Sequence, residues 1–203
     1  STQGYSSAAS DVYKRQAWWQ MDSKLSAPKN SNLKTVMDFS FFDKINTAKN
    51  EQTETWFKGL DRVYNNFVYD FLYPNPASVL AFIENHDTDR FLGEGDNLPM
   101  LKQASTLLLT TRRIPQLYYG TEIMMNGVKS KSDGYVRKDF PGGWTGDTET
   151  ALTAAGRSKI QNECYNFYKT LLNWRKGNDV IAKGSMVQFM VQNGVYAYAR
   201  QHE

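Results

Sequence analysis

The sequence has few of the residues that form disulfides or bind transition metals. Its 203 residues include one cysteine, Cys164, and two histidines, His86 and His202. A single cysteine cannot form an internal disulfide, and so few thiols and imidazoles argue against a Cys/His metal site. We therefore expect no cofactor or metal held by such residues, and cysteine use does not identify the compartment.

Long runs of apolar or like-charged residues are also missing. The longest apolar run, Ser78–Ile83, has the length of a strand and is far shorter than the roughly 18 residues of a membrane helix. The net charge of +3 is spread along the chain, and the basic pairs at 112–113 and 129–131 are too small for a nucleic-acid footprint. We expect neither a membrane nor a nucleic acid as partner.

What is plentiful is aromatic side chains. They make up 14% of the chain, whereas the 40% hydrophobic and 22% charged fractions are ordinary for a soluble globular domain. The aromatic excess fits a well-packed core, and it equally fits a surface on which sugar rings stack.

The first residues differ in composition from the rest. Residues 1–16 are rich in Ser, Ala and Gly without an apolar period, and they resemble translated adapter sequence. They lack the basic start and apolar stretch of a secretory signal. We therefore interpret 1–16 as a non-native segment and take the authentic chain to begin near Ala17, with a loop up to about Asn32.

Strand-like and helix-like patterns alternate after this point. Such alternation is typical of a parallel α/β architecture. The predicted strands are Thr35–Phe39, Ser78–Ile83 and Ile114–Tyr119, and the predicted helices are Thr53–Leu72, Asn97–Thr111 and Thr153–Lys176. Thr53 and Asn97 are the predicted N-caps, and Cys164 falls on the apolar face of the last helix, as a core residue.

The pattern changes from about residue 179. Ser185–Met190 and Gly194–Arg200 are predicted to form a hairpin that turns at Asn193-Gly194. We interpret residues 179–203 as the beginning of a separate antiparallel β-domain.

A polar segment, Glu84–Arg90, directly follows the apolar run that ends at Ile83. Barrel enzymes carry their reactive groups at the carboxyl ends of such strands. A solvated turn in which an Asp caps a helix would explain the same residues. Composition alone does not separate the two interpretations.

Motifs in this and three other segments resemble the α-amylase family of glycoside hydrolases. Phe82–Asp87 resembles its strand-seven motif, and Thr88–Arg90 resembles the neopullulanase and cyclomaltodextrinase branch. The other matches are Val36–Phe39 with Phe41 to strand six, Ile114–Glu122 to strand eight, and Asp133–Arg137 with Trp144 to the sugar-binding loop that follows. Four motifs in the family's order are far more specific than one tripeptide.

The resemblance implies a fold and a function. Residues 17–178 would form about strands six to eight of a (β/α)8 TIM barrel, and 179–203 would begin a C-terminal β-sandwich domain. The parent protein would be a retaining hydrolase or transglycosylase of α-1,4-glucans such as starch, pullulan, maltooligosaccharides or cyclodextrins. It would be a bacterial-type soluble enzyme, periplasmic or cytoplasmic. A homodimer and a structural calcium ion remain open for a longer protein.

The resemblance also assigns roles to individual residues. Asp87 matches the carboxylate that stabilises the oxocarbenium-like transition state, and His86 matches the residue that hydrogen-bonds the sugar being cleaved. Asp133 and Arg137 match groups that bind the next sugar. Without the resemblance, His86 would be a structural histidine and Arg137 a surface charge.

Two supporting residues complete the predicted site. Asn85 or a nearby backbone donor is expected to keep the Asp87 carboxylate ionised by hydrogen bonding. Arg90 is expected to orient Asp87 or its loop.

The resemblance leaves out two catalytic groups. The family's nucleophile and general acid belong to strands four and five, upstream of the matched motifs, so neither role is assigned to Asp11, Asp22 or Asp38. We expect the chain alone to be inactive. Two alternatives stay open: a non-catalytic relative that binds glucan, and an incomplete reading frame without a stable fold, whose open sheet edges would aggregate.

Overall fold

The computed structural model describes residues 34–51 and 56–202. The adapter-like segment, the predicted loop at 17–32 and the predicted N-cap Thr53 lie outside these residues. In this part of the chain the helices are α1 (Phe39–Ala48), α2 (Leu60–Val68), α3 (Leu98–Thr110), α4 (Asp133–Val136), α5 (Lys159–Lys176) and α6 (Asp179–Lys183). The strands are β1 (Leu80–Ala81), β2 (Ile114–Pro115), β3 (Ser185–Gln188) and β4 (Tyr198–Gln201).

Residues 34–202 divide into two compact units that interleave along the chain. The first takes its described residues from the segments up to Phe82, from Thr111–Gln116 and from Lys183 onward. The second consists of Ile83–Thr110 and Leu117–Ala182. Each unit is described by itself below.

The first unit contains the parallel strand pairing that the sequence predicts. β1 pairs with β2 in parallel, with Leu80 opposite Ile114, and Met37 forms a parallel bridge to Leu80. All three strands are shorter than predicted. Residues 35–39 contribute only the bridge at Met37, because the Asp38 side chain accepts the Phe41 N–H at 2.8 Å and caps α1. Phe41 and Phe42 lie in α1.

The predicted helix at 53–72 is also shorter in the structure. Trp56 to Gly59 form a turn, and α2 begins only at Leu60. Gly59 at the N-cap has a φ of 55°, in the left-handed region that glycine adopts without steric cost. α2 packs against α1, with the rings of Phe41 and Phe67 5.8 Å apart.

Buried charges accompany this apolar core. Arg113 contacts Asp38 at 2.8 Å and Asp70 at 2.6 Å, and Arg112 also pairs with Asp70. Burial raises the pKa of the Asp70 carboxyl, while the two arginines act to lower it. Asp38 is thus engaged in helix capping and in an internal ion pair.

The hairpin at the end of the chain is confirmed. β3 and β4 are antiparallel, with Met186 opposite Arg200. Asn193 and Gly194 have φ values of 50° and 71°, as a two-residue type I′ turn requires. Its strands are shorter than predicted, because 189–197 forms only the bridge between Gln192 and Val195 and one further backbone bond.

The second unit is built on α3 and α5, which pack against each other. Asn97 caps α3 as predicted, since its side chain accepts the Met100 N–H at 3.1 Å. α5 begins six residues later than predicted, at Lys159, because Ser158 and Gln161 form a capping box. Cys164 is buried as predicted, together with Tyr168, whereas the apolar side chains of Ile160 and Leu172 in the same helix are exposed.

The described residues contain neither a membrane-spanning helix nor a metal-binding group of side chains. No helix within 34–51 and 56–202 has the length and apolarity to cross a bilayer. Across the same residues, no group of three or more His, Cys, Asp or Glu side chains is arranged to hold a metal ion.

Candidate functional site

The predicted site residues lie on two loops of the second unit. The first loop, 84–90, follows the apolar run in sequence, and the second, 126–137, ends in the short helix α4. The loops are joined by backbone hydrogen bonds: Arg90 N–H donates to Gly127 O at 2.9 Å, and Gly127 N–H donates to Gly93 O at 2.6 Å. Gly127 permits a close approach, since a Cβ there would lie 2.7 Å from Tyr135 O.

A buried ion pair supports the first loop from within. The Glu84 carboxylate accepts hydrogen bonds from Arg90 Nη1 at 3.3 Å, from the Thr121 hydroxyl and from the Phe91 N–H. Glu84 and Arg90 are 2% and 1% exposed, so the pair has almost no solvent screening. Burial raises the pKa of Glu84, and these three donors act in the opposite direction.

Arg90 orients loops and does not reach the Asp87 carboxylate through the hydrogen bonds found here. Its Nε donates to Val136 O at 3.0 Å, and its Nη1 also donates to Tyr119 O at 2.6 Å. Its guanidinium also lies 4.0 Å from the centre of the Tyr118 ring. Of the two roles expected from the sequence, the geometry favours support of the loop.

Asn85 occupies a different place from the one predicted. Its side-chain oxygen accepts the backbone N–H of Asp87 at 2.8 Å, while its own N–H donates to the Thr88 hydroxyl at 2.9 Å. The Asn85 side-chain nitrogen makes no hydrogen bond to the Asp87 carboxylate, so of the two expected kinds of donor Asn85 is not the one that binds it. A carbonyl oxygen that closes a turn onto the backbone two residues later fixes the loop instead.

The remaining predicted residues, from two distant motifs, meet at the surface. Arg137 Nη2 lies 3.1 Å from Asp87 Oδ1 and 3.3 Å from Asp133 Oδ2, so one guanidinium nitrogen contacts both carboxylates. Arg137 Nε also donates to His86 O at 2.8 Å. His86 Nε2 is 3.6 Å from Asp87 Oδ2. These four residues form the cluster that we call the carboxylate cluster.

Lys129 also belongs to the carboxylate cluster, although the sequence motifs did not identify it. Lys129 Nζ donates to Asp87 O at 3.0 Å and lies 3.1 Å from Asp133 Oδ1. Its backbone N–H donates to Asp89 Oδ1 at 2.6 Å. The charge spacing offered a signal, because Lys129, Asp133 and Arg137 follow one another at intervals of four residues.

The cluster can bind a ligand rich in hydroxyl groups. The cluster is partly open to solvent. The exposed fractions of its side chains are 33% for Asp87, 55% for Asp133, 49% for His86 and 40% for Arg137. Carboxylates accept hydrogen bonds and guanidinium donates them, so the surface offers both partners to each hydroxyl. The part of the chain that the structure describes supplies no metal centre to this cluster.

Comparison with known proteins supports the family resemblance drawn from the sequence motifs. The family pattern described as "Alpha amylase, catalytic domain" matches residues 19–149. A cyclomaltodextrin glucanotransferase of Thermoanaerobacterium thermosulfurigenes is 33% identical over 172 residues, which are 85% of this chain and 21% of that protein. An α-amylase of Niallia circulans is 31% identical over 172 residues, which are 85% of this chain and 29% of that protein.

Solved structures agree on the fold. The α-amylase of Geobacillus thermoleovorans in complex with acarbose superimposes with a TM-score of 0.64 at 21% identity, covering 84% of this chain and 35% of that one. The chain thus spans about a fifth to a third of the length of these proteins. The family pattern matches 131 residues, and the similar proteins are named for activity on glucans. This chain therefore belongs to the α-amylase family.

Proposed function

We propose that the carboxylate cluster is part of an α-glucan site in a retaining glycoside hydrolase or transglycosylase. In this proposal Asp87 stabilises the oxocarbenium-like transition state, and His86 hydrogen-bonds the sugar that is cleaved. Asp133 and Arg137 bind the neighbouring sugar. The ligand is a starch-, pullulan- or cyclodextrin-type chain of α-1,4-linked glucose.

The observation that carries the proposal is the position of Arg137. Its Nη2 atom contacts Asp87 and Asp133, although the sequence places them 46 residues apart. Two motifs that each resemble sugar-binding segments of the family thus form one surface. A solvated turn and a surface arginine without a shared role would not be expected to meet in this way.

The chemistry fits these roles. Cleavage of a glycosidic bond places positive charge on the sugar ring, and a fixed carboxylate lowers the energy of that state. Asp87 is fixed by the Asn85 turn at its N–H, by Lys129 at its carbonyl and by Arg137 at its carboxylate. Such a group costs no reorganisation when the charge develops.

We infer that residues 17–178 correspond to about strands six to eight of the barrel, with 179–203 as the start of a β-sandwich domain. The nucleophile and the general acid belong to strands four and five in the family. We therefore expect the 203-residue chain on its own to bind glucan without cleaving it at a useful rate.

Binding by the chain itself tests the proposal. Titration calorimetry with maltoheptaose is expected to give measurable heat for the wild type and a weaker affinity for Arg137→Ala and His86→Ala. Asp96→Asn, which alters an exposed carboxylate outside the cluster, serves as the matched control. Loss of binding in the control but not in Arg137→Ala would contradict the proposal, as would a wild type that binds no glucan.

Turnover requires the other half of the site. In a protein that joins residues 17–203 to strands one to five of the family, Asp87→Asn is expected to lower kcat by two or more orders of magnitude, about the effect of removing one transition-state contact, while maltoheptaose binding partly survives. Product analysis with pullulan and cyclodextrin would identify the linkage. Unchanged turnover in Asp87→Asn would overturn the assignment.

A further inference from the structure

We propose that Lys129 is a positioning residue that sets the orientation of Asp133 toward the glucan; this inference rests on the proposed function. None of the motifs that identify the family includes Lys129, so none of them assigns it a role. The observation that carries the inference is its ammonium group, which contacts both loops at once.

Lys129 precedes Asp133 by four residues and Arg137 follows it by four, and both contact its carboxylate. Lys129 Nζ lies 3.1 Å from one carboxylate oxygen and Arg137 Nη2 lies 3.3 Å from the other. Each cation also binds a backbone carbonyl of the first loop: Lys129 binds Asp87 O at 3.0 Å, and Arg137 binds His86 O at 2.8 Å. Asp133 is thereby clamped between two cations that are themselves anchored to consecutive residues.

The backbone of Lys129 adds a third anchor. Its N–H donates to Asp89 Oδ1 at 2.6 Å, so the ammonium and the amide of one residue bind the first loop on either side of Thr88. A side chain with both ends fixed in this way has little freedom to leave Asp133. Removing only the ammonium keeps the backbone anchor and releases one oxygen of Asp133.

Loss of the Lys129 ammonium is expected to weaken ligand binding. With the ammonium absent, Asp133 loses one of the two cations that fix its carboxylate, so the carboxylate meets the sugar hydroxyl in a less fixed direction. The ion pair is half exposed, so solvent screens it and the effect is modest. Lys129→Met is expected to weaken maltoheptaose affinity about two- to fivefold, the range that exposed ion pairs contribute.

The chain offers a matched control in Lys131. Lys131 lies two residues further along, pairs with Glu94 and stacks 4.6 Å from the Tyr135 ring centre, without a contact to Asp87 or Asp133 among the ion pairs found. Lys131→Met removes the same charge from the same loop. A purely electrostatic or structural effect of lost charge would weaken binding in both variants, whereas the proposed role weakens it only in Lys129→Met.

A double-mutant cycle with Asp133→Asn tests whether Lys129 acts through Asp133. Maltoheptaose affinities would be measured by calorimetry on the 203-residue chain, with circular dichroism melts as a check of folding. We expect Lys129→Met to have no further effect in the Asp133→Asn background, and Lys129→Arg to restore most of the affinity. Should Lys129→Met fail to fold, Lys129→Gln replaces it in every comparison.

The outcomes separate this inference from the proposed function. Equal affinities of Lys129→Met and Lys131→Met, in a wild type that binds glucan, would overturn the role of Lys129 and leave the glucan site standing. An undiminished effect of Lys129→Met in the Asp133→Asn background would do the same. A wild type without glucan affinity would overturn both.

Discussion

Cys164 shows what burial does to a single side chain. It is fully buried in α5, and its thiol contacts Thr121 O at 3.6 Å. Burial raises the pKa of the Cys164 thiol to about 12. Because only the thiolate attacks disulfide reagents, a raised pKa lowers reactivity at every pH below it.

We predict that Cys164 is protected from thiol reagents in the folded chain. Relative to an ordinary thiol, the thiolate fraction near pH 8 should fall about a thousandfold, and the residual rate should rise about tenfold for each pH unit. Reaction with a chromogenic disulfide, followed with and without guanidinium chloride, measures this. Equal rates in both conditions would show that the thiol is accessible.

The buried pair of Glu84 and Arg90 carries the largest stability prediction. Arg90→Met leaves the Glu84 carboxylate in the interior without its cation, which costs on the order of 3–5 kcal/mol of unfolding free energy. The double variant Glu84→Gln/Arg90→Met should lose less. Denaturant titration provides the measurement, and Lys131→Met is the exposed control, expected to unfold like the wild type. A fully additive double variant would argue against coupling of the pair.

At the scale of elements, local side-chain chemistry decided several boundaries. α5 starts where Ser158 and Gln161 exchange hydrogen bonds with the backbone, and α1 starts where Asp38 accepts the Phe41 N–H. The hydrophobic period alone placed the start of the predicted helix 153–176 too early. The period carries no information about which residue satisfies the first free N–H groups of a helix. Asn97 was predictable because the cap and Pro99 occur together.

The capping box of α5 gives a prediction for this scale. Ser158→Ala removes the acceptor of the Gln161 N–H and should lower the unfolding free energy by about 1 kcal/mol. Ser158→Gly is the control, expected to cost only a few tenths of a kcal/mol because glycine tolerates the N-cap backbone. Urea titrations of the two variants separate these values. A Ser158→Ala variant as stable as the wild type would show that the cap hydrogen bond contributes nothing to α5.

For the molecule as a whole, exposed apolar side chains are the feature with consequences in solution. In the first unit Trp56, Phe71 and Val195 are 80%, 71% and 64% exposed, and in the second Trp144 and Leu152 are 65% and 63% exposed. Exposed apolar side chains favour association where they lie next to one another. Aggregation through open sheet edges was expected only for the alternative of an incomplete reading frame without a stable fold.

We therefore predict that the chain self-associates as its concentration rises. Sedimentation velocity over a range of concentrations should show larger species at the upper end. Phe71→Ser, which removes one exposed ring from a 3-10 helix, should reduce the association while leaving the melting temperature unchanged. A monomer at all concentrations would contradict the prediction.

The sequence by itself determined the family-like motifs, the parallel order of the strands and the turn at Asn193-Gly194. These depend on local residue type and spacing, which a chain displays directly. The residues proposed for the site followed from the resemblance to the family and not from spacing alone. Only the tertiary structure decided that Asn85 binds the Asp87 backbone, that Arg90 is paired with Glu84, and that Lys129 joins the cluster. Lys129 contacts Asp87 across 42 residues, and residue type alone does not fix a contact over that separation. The contacts of Asn85 and Arg90 lie within one loop, where the backbone conformation decides which groups meet.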